Sequence, residues 1–293
     1  EIGVRLVGSE MCIRDRNRSM YTEYQPSHLL VPYIDSYWEF KGNPDYGMRI
    51  HILPDGCTDF IFTLGEVANA VEEGSLIMQP YRSYFVGPMT KYSELVTYTE
   101  SIHMFGVRFL PCGLSCFTNL PLHEFVNSRV STNEMKAVFD DTFIEKLGEQ
   151  KHVTDRIRVV EEYLLAYLAR HYQPADSHVA MAVNMINHSK GKRSVRSLMD
   201  DVCLCQRHFE RKFKHYTGFT PKEYSRIVKF KNAVELLRTT TSANLLTTAV
   251  DAGYYDLAHF SKEIKSMSGN TPASFLSLTV PEETTLTYIE PQR

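Results

Sequence analysis

The sequence has little of what would mark a metalloenzyme, a secreted protein or a membrane protein. Its 293 residues include 11 histidines, yet no His-x-His and no His-Glu-x-x-His occurs. The paired imidazoles that a zinc enzyme sets on one face are therefore missing, and neither a metal nor another cofactor is expected. Of the six cysteines, only Cys112 with Cys116 and Cys203 with Cys205 are close in sequence. Neither pair has a second at zinc spacing, and six thiols in a chain this long make no disulfide framework, which points to a reducing cytoplasm. No apolar run approaches the roughly 18 residues of a membrane span, and no secretory signal with a small-residue cleavage site opens the chain.

What is present is an uneven distribution of charge. The net charge of -3 conceals an acidic front, with 16 Lys and Arg against 23 Asp and Glu in residues 1–173, and a basic back, with 15 against 9 in residues 174–279. Such asymmetry suits a nucleic-acid partner for the back half. The length allows two domains. The string Val7 to Arg16 resembles a translated cloning adapter, so residues 1–19 are expected to be a non-native leader, with Met20 as the start.

From Tyr21 to Phe109, short aromatic and β-branched runs alternate with turn residues. They predict strands at Ser36–Lys41, Met48–Leu53, Thr58–Leu64, Tyr84–Gly87, Ser93–Thr99 and Ile102–Phe109. Gly42-Asn43-Pro44-Asp45, Pro54-Asp55-Gly56 and Gly87-Pro88 supply the reversals. A helix is predicted over Asp155–His171, where Ile157, Val160, Leu164 and Leu168 recur at three and four residues. That stripe fits either a dimer seam or packing on its own domain. Gln173-Pro174-Ala175 then makes a hinge.

The back half contains a repeat offset by 51 residues. Asp200 aligns with Asp251, His208 with His259, Phe209 with Phe260, Lys214 with Lys265, Gly218 with Gly269 and Thr220-Pro221 with Thr271-Pro272. Each copy has the logic of a helix-turn-helix. In the second, Leu245–Ala252 forms the first helix, Gly253 permits the turn and Asp256 caps Leu257–Met267, which buries Phe260 and Ile264. In the first, Val195–Val202 leads through Cys203-Leu204-Cys205 into Gln206–Tyr216, which buries Phe209 and Phe213. Gly218 and Gly269 end the second helices. A long helix, Pro221–Arg238, joins the copies, with Tyr224, Ile227, Phe230, Val234 and Leu237 inward.

The stretches Phe209-Glu-Arg-Lys-Phe213 with Gly218-Phe-Thr-Pro221, and Ala252-Gly-Tyr-Tyr-Asp256 with His259-Phe260 and Gly269-Asn-Thr-Pro272, resemble the two signatures of AraC-type transcription regulators. The resemblance covers residues 176–279 and departs at Ile264, where the family usually has Phe, and at Cys205, where a serine-like cap is usual. It implies sequence-specific binding of double-stranded DNA, with RNA polymerase as a partner if the protein activates. Helical geometry sets Arg207, Glu210 and Arg211 opposite the buried stripe in the first copy, with Lys214 beside them, and Ala258, Ser261 and Lys262 in the second. Arginine can fork onto guanine, Glu210 can accept from cytosine, and Ala258 can touch only a thymine methyl. A solvated face is the ordinary reading of such residues on one helix; two copies in register favour DNA. Residues 194–238 carry ten Lys and Arg against five Asp and Glu, while 239–279 carry two against three. Phosphate attraction is thus expected chiefly from the first copy.

Tyr37-Trp38-Glu39, Leu53-Pro-Asp-Gly-Cys57, Val86-Gly-Pro88 and Phe105-Gly-Val-Arg-Phe-Leu-Pro111 resemble one type of N-terminal domain found in that family. The resemblance implies a small-molecule effector or a homodimer. Arg108 is the polar group expected at a pocket for an anionic ligand, with Trp38 near it; the competing readings are pairing of Arg108 with Asp55 or Asp59, and Trp38 as core. The chain is thus expected to be α+β and not an enzyme. A barrel-like β-rich domain (20–150) is followed by a linking helix and hinge (151–175), an all-α double helix-turn-helix domain (176–279) and a tail (280–293). The enzymatic competitor is a DNA-repair alkyl acceptor built on the same module, but its Pro-Cys-His-Arg motif is replaced here by Pro111-Cys112-Gly113-Leu114.

Overall fold

The computed structural model describes residues 20–135, 138–139, 141–239, 245–273 and 287–289; the leader at 1–19 and residues 274–279 of the helical region lie outside them. Ten strands are described: β1 (Tyr21–Tyr24), β2 (Ile34–Gly42), β3 (Met48–Ile52), β4 (Thr58–Thr63), β5 (Asn69–Ala70), β6 (Ser83–Val86), β7 (Ser93–Thr97), β8 (Ile102–Phe109), β9 (Arg129–Ser131) and β10 (Thr287–Ile289). They form a six-stranded sheet ordered β1-β2-β8-β4-β6-β9 and a four-stranded sheet ordered β10-β3-β7-β5. The pairs are antiparallel, and β8 at the centre of the larger sheet is in register with both β2 and β4.

The expected barrel does not close, and the strand alternation gives the reason. Tyr37, Phe60, Phe62, Phe105, Val107 and Phe109 point to one face of the large sheet, where α1 (Asp141–Gly148) and α2 (Val153–His171) cover them. Trp38, Phe40, Ile61 and Met104, one residue out of phase, point to the other face and pack against the small sheet. A sheet apolar on both faces needs a cover on each, so three layers form. In α2, Val160 and Leu164 are fully buried, with Ile157 and Leu168 against the same cluster. The helix therefore covers its own domain. Gly106 on β8 admits the Trp38 indole flat against the strand, since a Cβ there would overlap the ring.

Among the described residues six helices follow: α3 (Ser177–His188), α4 (Val195–Val202), α5 (Gln206–Thr217), α6 (Pro221–Thr239), α7 (Leu245–Asp251) and α8 (Leu257–Ser268). The five from α4 onward follow the predicted bounds closely. α3 starts where Asp176 accepts from the amides of His178 and Val179 at 3.1 and 3.2 Å. The long helix α6 is started by a reciprocal box, in which Thr220 N–H donates to Glu223 Oε2 at 2.7 Å and Glu223 N–H to Thr220 Oγ1 at 3.1 Å. Its Tyr224, Ile227, Phe230, Val234 and Leu237 are all buried.

The core around α6 is not purely helical, because Leu53 and Cys112 of the first domain belong to it. Gly56, at φ +86°, lets the Pro54-Asp55-Gly56 turn lie under the Tyr224 ring; a Cβ there would sit 2.7 Å from Tyr224 Cε2. Lys231 Nζ donates to the Asp55 carbonyl at 3.3 Å. The turn between β3 and β4 is thus a socket for the helical domain.

Candidate nucleic-acid interface

In each helix-turn-helix copy the second helix buries an aromatic or aliphatic stripe and turns a polar stripe outward. On α5, Phe209 and Phe213 are fully buried. Arg207, Arg211 and Lys214 are exposed, and Glu210 is half-buried, accepting from Gln206 Nε2 at 3.0 Å. On α8, Phe260 and Ile264 are fully buried, while Ala258 and Lys262 are exposed and Ser261 is half-buried. All seven residues thus lie on outward faces of the two helices.

The caps show how the sequence sets these helices. Asp256 accepts the His259 amide at 2.7 Å, whereas Cys205, in the same extended conformation that an N-cap requires, makes no side-chain bond. Sulfur is a poor acceptor, so α5 starts with its first amides unpaired by a side chain. Cys203 takes the left-handed turn of the first copy at φ +55°, where Gly253 takes that of the second at φ +87°. Gly218 and Gly269 end the two helices at φ +83° and +77°, their amides donating to the carbonyls of Lys214 and Lys265.

Between the two copies lies a groove of about 640 Å³ whose basic lining includes Lys192, Arg193, Lys222, Arg226 and Lys229. Several of these cations fasten one copy to the other. Lys192 Nζ donates to the Asp251 carbonyl at 2.7 Å and Lys229 Nζ to the Gly253 carbonyl at 3.2 Å, so both satisfy carbonyls left free where α7 ends. Lys229 also stands over the Tyr254 ring, and partial burial lowers its pKa. Arg226 grips Glu263 of α8 through Nε and Nη2 at 3.1 and 2.9 Å. Lys222 is left exposed on the rim. In the sequence this groove is signalled only by the run Lys190-Gly-Lys-Arg193 before the Ser194 cap, which the repeat itself does not mark.

The first domain rests on the far ends of both helices. A Cβ on Gly218 would lie 2.5 Å from Pro88 Cγ, and one on Gly269 would lie 2.7 Å from Tyr92 Cζ. One segment, residues 88–92, therefore abuts the last turn of α5 and of α8. Lys212 Nζ on α5 also reaches Asp176 Oδ2 at 2.6 Å.

Arg108 and Trp38 lie together on the wall between the two sheets. Trp38 is buried and its Nε1–H donates to Asp59 Oδ1 at 2.7 Å. The Arg108 guanidinium is shared among Asp59 at 3.3 Å, Asp55 at 3.4 Å and Glu23 at 3.3 Å. The pairings weighed against a ligand role for Arg108 are thus both present. Burial, the repulsion of Asp55 and incomplete compensation by Arg108 hold the Asp59 carboxyl above the usual carboxylate range. Cys112 is buried, which pushes its thiol far up and gives no opening for an alkyl-acceptor role. Among the described residues no cluster of three or more His, Cys, Asp or Glu could hold a metal, and no helix is long and apolar enough to cross a membrane.

Two family models match the chain: a domain of unknown function (DUF6597) over residues 22–131 and a helix-turn-helix domain over residues 198–277. Among solved structures, ToxT from Vibrio cholerae aligns at 9% identity over 83% of this chain and 98% of that one, with a TM-score of 0.49. A probable AraC family transcriptional regulator from Rhodopseudomonas palustris aligns at 20% identity over 35% of this chain and 96% of that one, with a TM-score of 0.32. The C-terminal domain of AraT, a response regulator from Geobacillus stearothermophilus, aligns at 20% identity over 37% and 92%, with a TM-score of 0.34. No curated protein matches the chain.

Proposed function

In a chain that carries an AraC-type helix-turn-helix domain behind a DUF6597 domain, we propose that α5 and α8 read two segments of double-stranded DNA and that the first domain regulates this reading. The observation that carries the proposal is the doubled geometry: two helices, each anchored by a buried stripe and ended by a left-handed glycine, with unburied polar faces. A helix of this kind enters the major groove, and two in one chain reach successive turns of the duplex. Arg207 and Arg211 are assigned to base edges, Glu210 to a cytosine amine, and Lys214 and Lys262 to phosphates, with Ser261 and Ala258 making the lighter contacts of α8. Lys222 on the groove rim adds a phosphate contact.

The regulatory input is a small molecule or a second copy of the chain acting through the first domain. The site of action is the cytoplasm, and RNA polymerase is the further partner of an activator. In vitro selection from random duplex DNA tests the reading. The expected result is an enriched motif with two blocks about one helical turn apart; no enrichment over bulk sequence overturns it. Arg211→Ala is expected to weaken binding to the selected site by about 1 to 3 kcal/mol at fixed salt and to relax preference at one base pair. An unchanged dissociation constant would remove Arg211 from the contact.

A further inference from the structure

Arg129 lies on β9 opposite Val86 of β6, at the mouth of the space between the two sheets. Its Nη2–H donates to Ser93 Oγ at 2.8 Å, but its Nε–H is buried and meets no acceptor. Among the described residues no carboxylate lies within 4.0 Å of the guanidinium, in contrast to the three around Arg108. An unsatisfied buried N–H on a cation is costly, and it marks where an anionic acceptor would be stabilised.

Two clefts meet at this side chain. Inward, a space of about 50 Å³ is walled by Ile50, Ile52, Ile61, Leu95 and Met104. Outward, a polar cleft of about 380 Å³ is lined in part by Lys91, Asn127 and Glu72. Val86, Met89 and Arg129 belong to both, so the guanidinium stands where polar and apolar surroundings change over. A water needs roughly 10 to 15 Å³ of such space, so the inner cleft takes an apolar body of about four heavy atoms. Long chains and large rings exceed it.

We propose that this neck binds a small organic acid, with its carboxylate on Arg129 and its short apolar body between the sheets. The anion completes the hydrogen bonding of Nε and neutralises a cation whose burial already lowers its pKa. The apolar body fills a cleft walled mostly by aliphatic and aromatic side chains, with the paired Asp59 and Arg108 also on its lining, and a largely apolar wall with few polar groups is the usual design of a ligand site. Arg108 already faces three carboxylates, whose negative charge opposes a further anion there.

The inference deepens the regulatory reading above, but its test uses no DNA, so each can fail alone. The full-length chain is titrated with butyrate and, separately, with butyramide, which has nearly the same shape and no charge. Butyrate is expected to saturate at least tenfold more tightly than butyramide, and Arg129→Gln to abolish that preference, while Arg129→Lys retains part of it. Ile52→Phe, which fills the inner cleft and keeps the guanidinium, is expected to weaken butyrate several-fold and leave acetate unchanged. That variant decides the matter should Arg129→Gln not fold. Equal binding of butyrate and butyramide, no saturation by butyrate, or butyrate binding unchanged in a folded Arg129→Gln would each overturn the proposal.

Discussion

Arg108 is one cation among three carboxylates, and the surplus negative charge falls on Asp59. Desolvation is the largest influence on that carboxyl and raises its pKa; Arg108 pulls it down, and Asp55 pushes it up again. A carboxyl whose folded pKa is raised adds stability below its unfolded value near 4, and loses that contribution as pH rises through the folded value. Asp59→Asn keeps an oxygen for the Trp38 Nε1–H and leaves Arg108 with Asp55 and Glu23. The variant is expected to be more stable than the parent at pH 8 by about 1 kcal/mol or more, with the gap closing as pH falls toward 5. Urea unfolding at the two pH values checks this; a destabilised variant at pH 8 would mean that Arg108 requires all three acids. A second residue-scale expectation concerns Cys205, which has cap geometry and no cap bond. Cys205→Ser should raise stability by about 0.5 to 1 kcal/mol, since a hydroxyl there can accept an amide of the first turn of α5. An unchanged unfolding midpoint would show those amides to be satisfied already by solvent.

Among the elements, the left-handed glycines that end α5 and α8 do two things. They accept a backbone conformation that costs other residues roughly 1 to 2 kcal/mol, and they let the first domain approach. Gly74 separates the two effects, because it has φ +80° with open space around it, whereas Gly218 has φ +83° with Pro88 and the Leu122 carbonyl against it. Gly218→Ala is therefore expected to destabilise the chain measurably more than Gly74→Ala, and the difference reports the domain contact. Equal effects in chemical denaturation would show that the contact gives way freely. These glycines and the helices they close were legible because the 51-residue repeat printed the same signals twice. Strands β2 to β4 and β6 to β8 were legible for a similar local reason, since aromatic and β-branched runs sit between turn residues. The short edge strands were not: Tyr21-Thr-Glu-Tyr24 on β1 and Arg129-Val-Ser131 on β9 are mixed in polarity, and the partner of β9, on β6, lies far away in sequence. Helix α3 passed unnoticed as well, although Asp176 caps it and Val179, Ala182, Val183 and Ile186 form its buried face. Arg108 was legible as an unusual residue on an apolar strand, while Arg129, on a strand that local pattern did not reveal, was not.

At the scale of the whole molecule, the contacts by which the first domain grips the second include two that local sequence could not show. The turn at Pro54-Asp55-Gly56 receives Tyr224 and Lys231 of α6, and the segment 88–92 abuts the ends of α5 and α8. That segment has a second neighbour: Met89 lines both clefts at Arg129, and Ser93 accepts from the guanidinium. Residues between a cleft and the helices α5 and α8 can couple them only if both ends bear on the same element, and here Pro88, Met89 and Tyr92 lie within five consecutive residues. Tyr92→Ala should leave the β domain folded and Gly218 still against Pro88, while freeing Gly269. Amide exchange at the end of α8, around Met267 to Asn270, is then expected to rise at least tenfold, with the end of α5 unchanged. Exchange at α8 unaltered by the loss of the Tyr92 ring would show that the second helix-turn-helix is held without it, through Arg226 on Glu263, Lys229 on Gly253 and Lys192 on Asp251, and that segment 88–92 governs only the first.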